Sequence, residues 1–284
     1  MMNSYYVKTE KEISMKSKRF LIIGAHPDDA DLMFGGCAVK LAKKGHKVKF
    51  VSCSNGDAGH YNMSPEKLAA RRKNEALKSA ETAGLEEYEV LDNHDCKLFP
   101  TLANRELLTT IIRSFKPDVV ISHRVYDYHA DHRATAQLVQ DSAYLVMVPL
   151  FCPSTPIPEI NPIYMFSYDH FKKPYPFSPD IAVATDDVLD EKLKMLNCHE
   201  SQFYEWLPYN LGRLEDIPET WEERKKYLKD DWLKYYLVQT EIVRKNLVTR
   251  YGEKASSIKY AESFELSEYG RQPEKGELNE LLPL

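Results

Sequence analysis

The stretch RFLIIGAHPDDADLMFGG, residues 19–36, decides how the rest of the chain is read. Arg19 to Gly24 is a short apolar run ending in glycine, the pattern of a buried strand. The polar turn His26-Pro27-Asp28-Asp29 follows almost at once. Leu32 to Lys44 then has the spacing of a helix, stopped by Gly45. Such a strand–turn–helix unit opens an α/β sheet, and its polar turn falls at the carboxyl end of the strand, where ligands bind in such sheets.

Working outward, the alternation repeats. His46 to Ser52 is a second strand, followed by the loop SNGDAGH, residues 54–60. Ser64 and Pro65 are an N-cap and first-turn signal for a helix that runs to about Ala83 and stops at Gly84. Tyr88 to Leu91 reads as a third strand, Thr101 to Phe115 as a helix, Val119 to Ser122 as a fourth strand, and Ala134 to Val148 as a helix. This order predicts a mainly parallel sheet with right-handed crossovers. The prolines at 149, 153, 156, 158 and 162 then exclude regular helix or central strand. A second proline-rich piece spans Lys173 to Pro179, with strands expected at Ile163–Ser167 and Ile181–Ala184. Asp186 to Glu200 reads as a helix. Residues 219–251, with Trp221, Leu228, Trp232, Tyr235 and Ile242 as apolar positions, read as one long charged helix. The expectation is a polar tail over residues 1–18 and a single domain over 19–284, with 151–180 as a variable proline-rich segment and a C-terminal helical extension.

Composition narrows the function classes. The chain has 284 residues, 43% of them hydrophobic, enough to bury a sizeable core. The 38 Lys and Arg against 43 Asp and Glu leave a net charge of −5, and no basic block forms, so no nucleic-acid partner is expected. No apolar run approaches the roughly 20 residues of a membrane span. The first residues lack the apolar core of a secretion signal. The five cysteines, Cys37, Cys53, Cys96, Cys152 and Cys198, are odd in number and show no paired spacing. Reduced thiols and a cytoplasmic location follow as expectations. Any metal must then be held by His and Asp.

Two clusters carry such residues: His26-Pro27-Asp28-Asp29 after strand one, and His129-Ala130-Asp131-His132 after strand four. They meet if strands one and four are neighbours at a topological switch point. His26 and Asp29, three apart in a tight turn, with His132 as third ligand, make a donor set suited to Zn²⁺ with one position left for water. Metal lowers the pKa of bound water from 15.7 to about 7. Asp28, beside Asp29, is placed to act as general base. His129 is placed to stabilise an oxyanion and protonate a leaving amine, with Asp131 orienting it. Taken singly, each cluster also reads as something plainer: the first as a turn with an Asp N-cap, the second as a solvated helix start. The isolated His94, His123, His170 and His199 read as structural. The loop GAHPDDADLMFGG lacks the GxGxxG of a dinucleotide site, and adjacent carboxylates repel phosphate, which argues against a nucleotide-binding module.

Taken together, these segments resemble the PIG-L/LmbE-like family of zinc-dependent de-N-acetylases. The resemblance rests on Gly24 to Asp29 with Asp31, Gly35 and Gly36; on Ser54 to Gly59; on Arg72 and Glu75 in a helix ending Ala83-Gly84-Leu85; and on Asp95. It continues through Asp127 to His132, Lys194 to Gln202, and Ala261 to Phe264, so it covers about residues 19–266 in order. It implies a Rossmann-like three-layer sandwich and removal of acetyl from an N-acetylamino sugar or a conjugate of one. It implies one zinc per chain, with other divalent metals possible, on His26, Asp29 and His132. Asp28 would be the base, His129 and Asp131 would assist, and Arg72 and Asp95 would contact the substrate, although an Arg on a helix equally reads as a surface charge. A small N-acetylated molecule is the implied partner, and a homo-oligomer is possible.

The chain departs from the family pattern where the usual His-Pro-Asp-His is His129-Ala130-Asp131-His132, which loses a fixed φ but no ligand. It also has Ala30 where an acidic residue is more common, with Asp31 next to it. Two enzymatic alternatives share the site: hydrolysis of another amide conjugate, or of a larger N-acyl group. A sugar-binding protein with a degenerate site is disfavoured because every proposed ligand is present. The segment 149–162 reads either as a rim of the substrate pocket, with Tyr126, Tyr128 and Tyr164 as stacking surfaces, or as a packed surface loop.

Overall fold

A computed structural model describes residues 17–282. The polar tail expected over 1–18 lies almost wholly outside the described residues. Seven strands form one sheet: β1 (Arg19–Gly24), β2 (Lys47–Ser52), β3 (Glu87–Val90), β4 (Val119–Ser122), β5 (Ile163–Ser167), β6 (Ile181–Ala184) and β7 (Ala261–Gly270). Their order is β3-β2-β1-β4-β5-β7-β6. The first five strands pair in parallel, while β7 runs antiparallel to both β5 and β6. β1 is central because every side chain from Phe20 to Ile23 is apolar, so both of its faces can be covered. Phe20 and Ile22 pack with Phe34, Phe50, Ile121 and Phe264 on one face. Leu21 and Ile23 pack with Val51, Ile112, Val120 and Leu138 on the other.

Helices cover both faces: α1 (Asp29–Lys43), α2 (Pro65–Ala83), α3 (Leu102–Phe115), α4 (Ala130–Leu145) and α5 (Leu189–Asn197). The expected three layers and parallel core are therefore present. α1 and α4 begin earlier than their apolar spacing indicates, at Asp29 and Ala130. Polar residues mask a helix start in sequence, yet here they are the first helical turn and sit in the site. Among the described residues no helix is long and apolar enough to cross a membrane.

The long helix expected over 219–251 is corrected. A helix at Trp221–Tyr227, capped by Thr220 and Glu223, gives way to a wide turn at Leu228–Trp232 and a tight one at Leu233–Tyr235, and helix resumes only at Arg244–Tyr251. No Pro or Gly marks the break. The cause is burial in two places. Leu228, Trp232, Leu233 and Leu237 pack with Leu193, Leu196 and Phe203. Val238, Val243 and Leu247 pack instead with Ala182 of β6 and Ala261 of β7. One straight helix cannot reach both.

Two buried cations tie the second half to the first. Lys192 Nζ lies 2.6 Å from Glu262 Oε1 and donates to the Leu32 carbonyl, while Glu262 accepts the Gly36 and Cys37 amides. Both side chains are essentially inaccessible, so Lys192→Met leaves Glu262 without its counter-charge. Urea unfolding should show a loss of about 3 kcal/mol or more, and a change below about 1 kcal/mol would contradict this account. Arg113, inside α3, donates to the carbonyls of Leu145, Val146, Val148, Phe151, Cys152 and Thr155. That clamp stands in for the hydrogen bonds that the proline-rich chain cannot make to itself. Arg113→Met should speed protease cleavage within residues 149–162 by about tenfold or more, and unchanged cleavage would contradict the clamp.

Candidate functional site

β1 and β4 are adjacent, and the chain turns to opposite sides of the sheet on leaving them. Their carboxyl ends bring the two His/Asp clusters face to face. After β1, the amides of Asp28 and Asp29 donate to the His26 carbonyl and form a tight turn. Asp29 Oδ2 then accepts the Ala25 and His26 amides at 2.9 and 2.7 Å, which fixes the carboxylate beneath the His26 ring. Gly24 is required here by close approach, because a Cβ on it would lie 2.6 Å from Asp29 Cβ.

The three expected metal-ligating side chains converge. His26 Nδ1 lies 3.4 Å from Asp29 Oδ2 and 3.3 Å from His132 Nε2, and His132 Nε2 lies 3.6 Å from Asp29 Oδ1. Donor atoms about 2.0–2.1 Å from a tetrahedral ion are spaced about 3.3 Å apart, so this separation fits a divalent cation. The opposite ring nitrogens face carboxylates, as is usual for metal-bound histidine. His26 Nε2 is 3.1 Å from Asp95 Oδ1, and His132 Nδ1 is 3.1 Å from Asp127 Oδ2. Charge balance points the same way. Asp28, Asp29, Asp95 and Asp131 are buried together with Arg72 as their guanidinium, a negative excess that a cation relieves.

Three other donor sets include one or more of these residues: His26, His129 and His132; Asp29, His123 and His132; and His26, Asp95 and Asp131, each with ligand atoms within 4.8 Å of one another. His123, read as structural from sequence, thus belongs to the site. Its Nε2 accepts the Ala25 amide and sits 3.3 Å from Asp29 Oδ2, and its ring stacks on His132 at 4.1 Å. Its position as the first residue after β4 was the available signal. Asp127, the first residue of the Asp127–His132 segment, is likewise engaged, through the His129 amide and His132 Nδ1.

Asp28 is buried beside this cluster. Burial pushes its carboxyl pKa up, against the pull of the Arg72 guanidinium. Arg72 Nη2 donates to Asp28 Oδ1 at 2.8 Å and Nη1 to the Gly56 carbonyl. Gly56 has φ +69, and any Cβ there would run into that guanidinium at 2.6 Å. For Asp29, burial also acts upward, but the neighbouring His132 and His123 rings hold it well below the usual range. The side chains of Arg72 and Asp95, expected to meet substrate, are already engaged with Asp28 and His26.

His129 caps α4: its Nδ1 accepts the Asp131 amide at 3.2 Å. The Asp131 carboxylate does not turn to His129. It accepts the Cys96 and Leu98 amides and approaches His26 Nε2 at 3.5 Å. Asp31 also points away, to Ser79, Tyr88 and His199. Glu75 binds the Ser201 amide and hydroxyl, which explains why an Arg-x-x-Glu helix and a His-x-Ser-Gln segment occur in one chain.

A cleft of about 270 Å³ opens beside Asp29, His123, Asp127 and His132. Its far side is built by residues 167–171 and 232–236. The proline-rich segment 149–162 contributes nothing to this lining, because Arg113 holds it against α3 and α4 instead. Of the three tyrosines expected on a rim, Tyr128 lines the cleft, Tyr126 faces a separate groove near Phe99, and Tyr164 is in the core.

Comparison with known proteins agrees with this fold. The sequence model of the PIG-L family, described as GlcNAc-PI de-N-acetylase, matches residues 21–143. The diacetylchitobiose deacetylase of Thermococcus kodakarensis is 31% identical over 202 residues, covering 68% of this chain and 74% of that protein. The 4-oxalmesaconate hydratase of Pseudomonas putida is 25% identical over 221 residues, 74% of this chain and 84% of that one. The structure of N,N'-diacetylchitobiose deacetylase from Pyrococcus horikoshii in complex with an inhibitor superposes with a TM-score of 0.67 at 26% identity, covering 89% and 84% of the two chains. Sheet order, paired His/Asp clusters and these matches together place the chain in the PIG-L family.

Proposed function

We propose that the protein is a metal-dependent N-deacetylase that removes acetyl from an N-acetylamino sugar or a conjugate of one. Residues 19–284 act as one domain, since β5, β6 and β7 complete the sheet that carries the site. The observation that carries the reading is the spacing of 3.3–3.6 Å among donor atoms of His26, Asp29 and His132, with a buried carboxylate, Asp28, in the same turn. One divalent cation per chain is held there by those three residues, and zinc suits the two imidazoles and single carboxylate. When bound, the cation polarises an amide carbonyl and brings the pKa of a water near neutrality.

The chain's own groups supply the remaining chemistry. Asp28, held by Arg72, takes the proton of the attacking water. Because His129 Nδ1 accepts a backbone amide, its ring proton resides on Nε2, where it donates a hydrogen bond to the developing oxyanion, and the proton that Asp28 takes from water passes on to the departing amine. Asp95 and Asp131 hold the outer nitrogen of His26 and so orient that ring. The acyl carbon leaves as acetate and the sugar as a free amine.

The test is metal analysis of the purified protein combined with acetate and amine release over a panel of N-acetylated sugars. About one bound metal per chain, and release of both products that a chelator stops, is the expected result. Hydration, the reaction in the name of the Pseudomonas relative, frees neither acid nor amine. A metal-loaded protein that releases neither product from any panel member would overturn the reading.

A further inference from the structure

The catalytic cluster has two unlike sides. On one lie Asp28, Arg72, Asp95 and His129, all polar. On the other lies the cleft of about 270 Å³, whose wall includes Tyr128, Phe171, Leu207, Trp232, Tyr235 and Tyr236. The break in the chain between Trp221–Tyr227 and Arg244–Tyr251 puts the last three of these on the wall. Tyr128 and Phe171 approach with ring centroids 6.1 Å apart, and the Tyr128 ring lies 5.7 Å from that of His132, so the aromatic surface reaches the metal-ligating residues directly.

Most of the charged groups that also face this cleft are paired within the protein, while Asp169 Oδ2 and Trp232 Nε1 are buried without a partner and His170 is exposed at the edge. Arg124 donates to Asp169 at 2.9 Å and to the Tyr175 carbonyl at 2.9 Å. Asp169 accepts the Phe171 amide as well. Asp127 accepts the His129 amide and faces His132. The Ser167 hydroxyl is turned to Met33 Sδ at 2.8 Å. A hydroxyl turned onto these ring faces meets no partner there, and a buried hydroxyl without a partner is costly. A methyl group would fill a small part of the space.

We propose that this cleft binds an apolar group of ring size carried by the substrate beside the scissile amide, so that the preferred substrate is more than a simple N-acetylated sugar. This inference rests on the deacetylase reading above. The apolar group has two possible sources, the acyl chain of the amide or an aglycone on the sugar, and both present the same chemistry to the wall. Burial of such a group raises kcat/KM by about ten- to a hundredfold over the small parent.

The experiment uses the metal-loaded full chain and reads kcat/KM from amine release. One arm compares N-acetyl-, N-butyryl-, N-hexanoyl- and N-benzoylglucosamine. The other compares the methyl, butyl and phenyl β-glycosides of N-acetylglucosamine. A rise of about tenfold or more along the first arm supports the proposal with the acyl chain as occupant, and the same rise along the second supports it with the aglycone. Tyr235→Ala, at a side chain 54% exposed, and Phe171→Ala should each shrink the ratio of best to parent substrate by about fivefold. A flat or falling series in both arms, with acetate still released from the parent, overturns the proposal and leaves the deacetylase reading intact. So does a rise that neither variant diminishes. Release from no substrate at all overturns both.

Discussion

Asp29→Asn is expected to strip the protein of its metal and to lower kcat/KM by on the order of a thousandfold or more. The argument is one of charge rather than shape. The asparagine oxygen still accepts the Ala25 and His26 amides that Asp29 Oδ2 holds at 2.9 and 2.7 Å, so the turn after β1 keeps its hydrogen bonds. What disappears is the anion between the His26 and His132 nitrogens. Groups that merely orient a ligand cost about ten- to a hundredfold when lost, and a direct donor costs more. The measurement is metal content per chain alongside turnover. Full metal content with activity within tenfold of the parent would show that Asp29 is not a ligand and would shift the assignment to His26, His129 and His132.

Asp28→Asn is expected to lower kcat by about 10²–10⁴-fold while the metal stays bound, because the variant keeps every proposed ligand and loses a proton acceptor. KM should change little, since the side chain acts on water rather than on substrate. Burial raises the Asp28 carboxyl pKa and Arg72 opposes it, which makes its carboxylate form a stronger base than an exposed one. Some stability is lost too, because the buried Arg72 loses its counter-charge, so kcat is measured well below the unfolding midpoint with metal content checked. Retained metal with kcat within tenfold of the parent would overturn the base assignment.

The strands and each of the two His/Asp clusters were legible in the sequence for the same reason: each is local. β1, β4, β5 and β6 have the bounds that their apolar runs indicate, and α2 begins at Pro65 and stops at Gly84 where the capping residues place it. Short apolar strands divided by helices leave a parallel sheet as the way to bury both faces. Strand order decided whether the two clusters met, and the switch point between β1 and β4 is where a parallel sheet of this order puts them. His123 and Asp127 escaped because neither repeats a spacing that marks a ligand.

Tertiary packing alone decided three things. Asp131 serves His26 instead of its sequence neighbour His129, because the loop after β3 offers it the Cys96 and Leu98 amides. The proline-rich segment is held away from the cleft by Arg113, a contact between residues more than thirty positions apart. The run from Trp221 to Tyr251 has helical composition throughout, yet it breaks, because its first apolar residues belong to one core and its last to another. Local propensity favours helix by fractions of a kcal/mol per residue, whereas each buried Leu or Trp contributes about 2 kcal/mol, so burial wins. The apolar runs and turn residues sufficed for the parallel strands and for the two His/Asp clusters that follow β1 and β4, because each is set by local pattern. The wall that faces them, and with it the shape of what they act on, came from packing between distant segments.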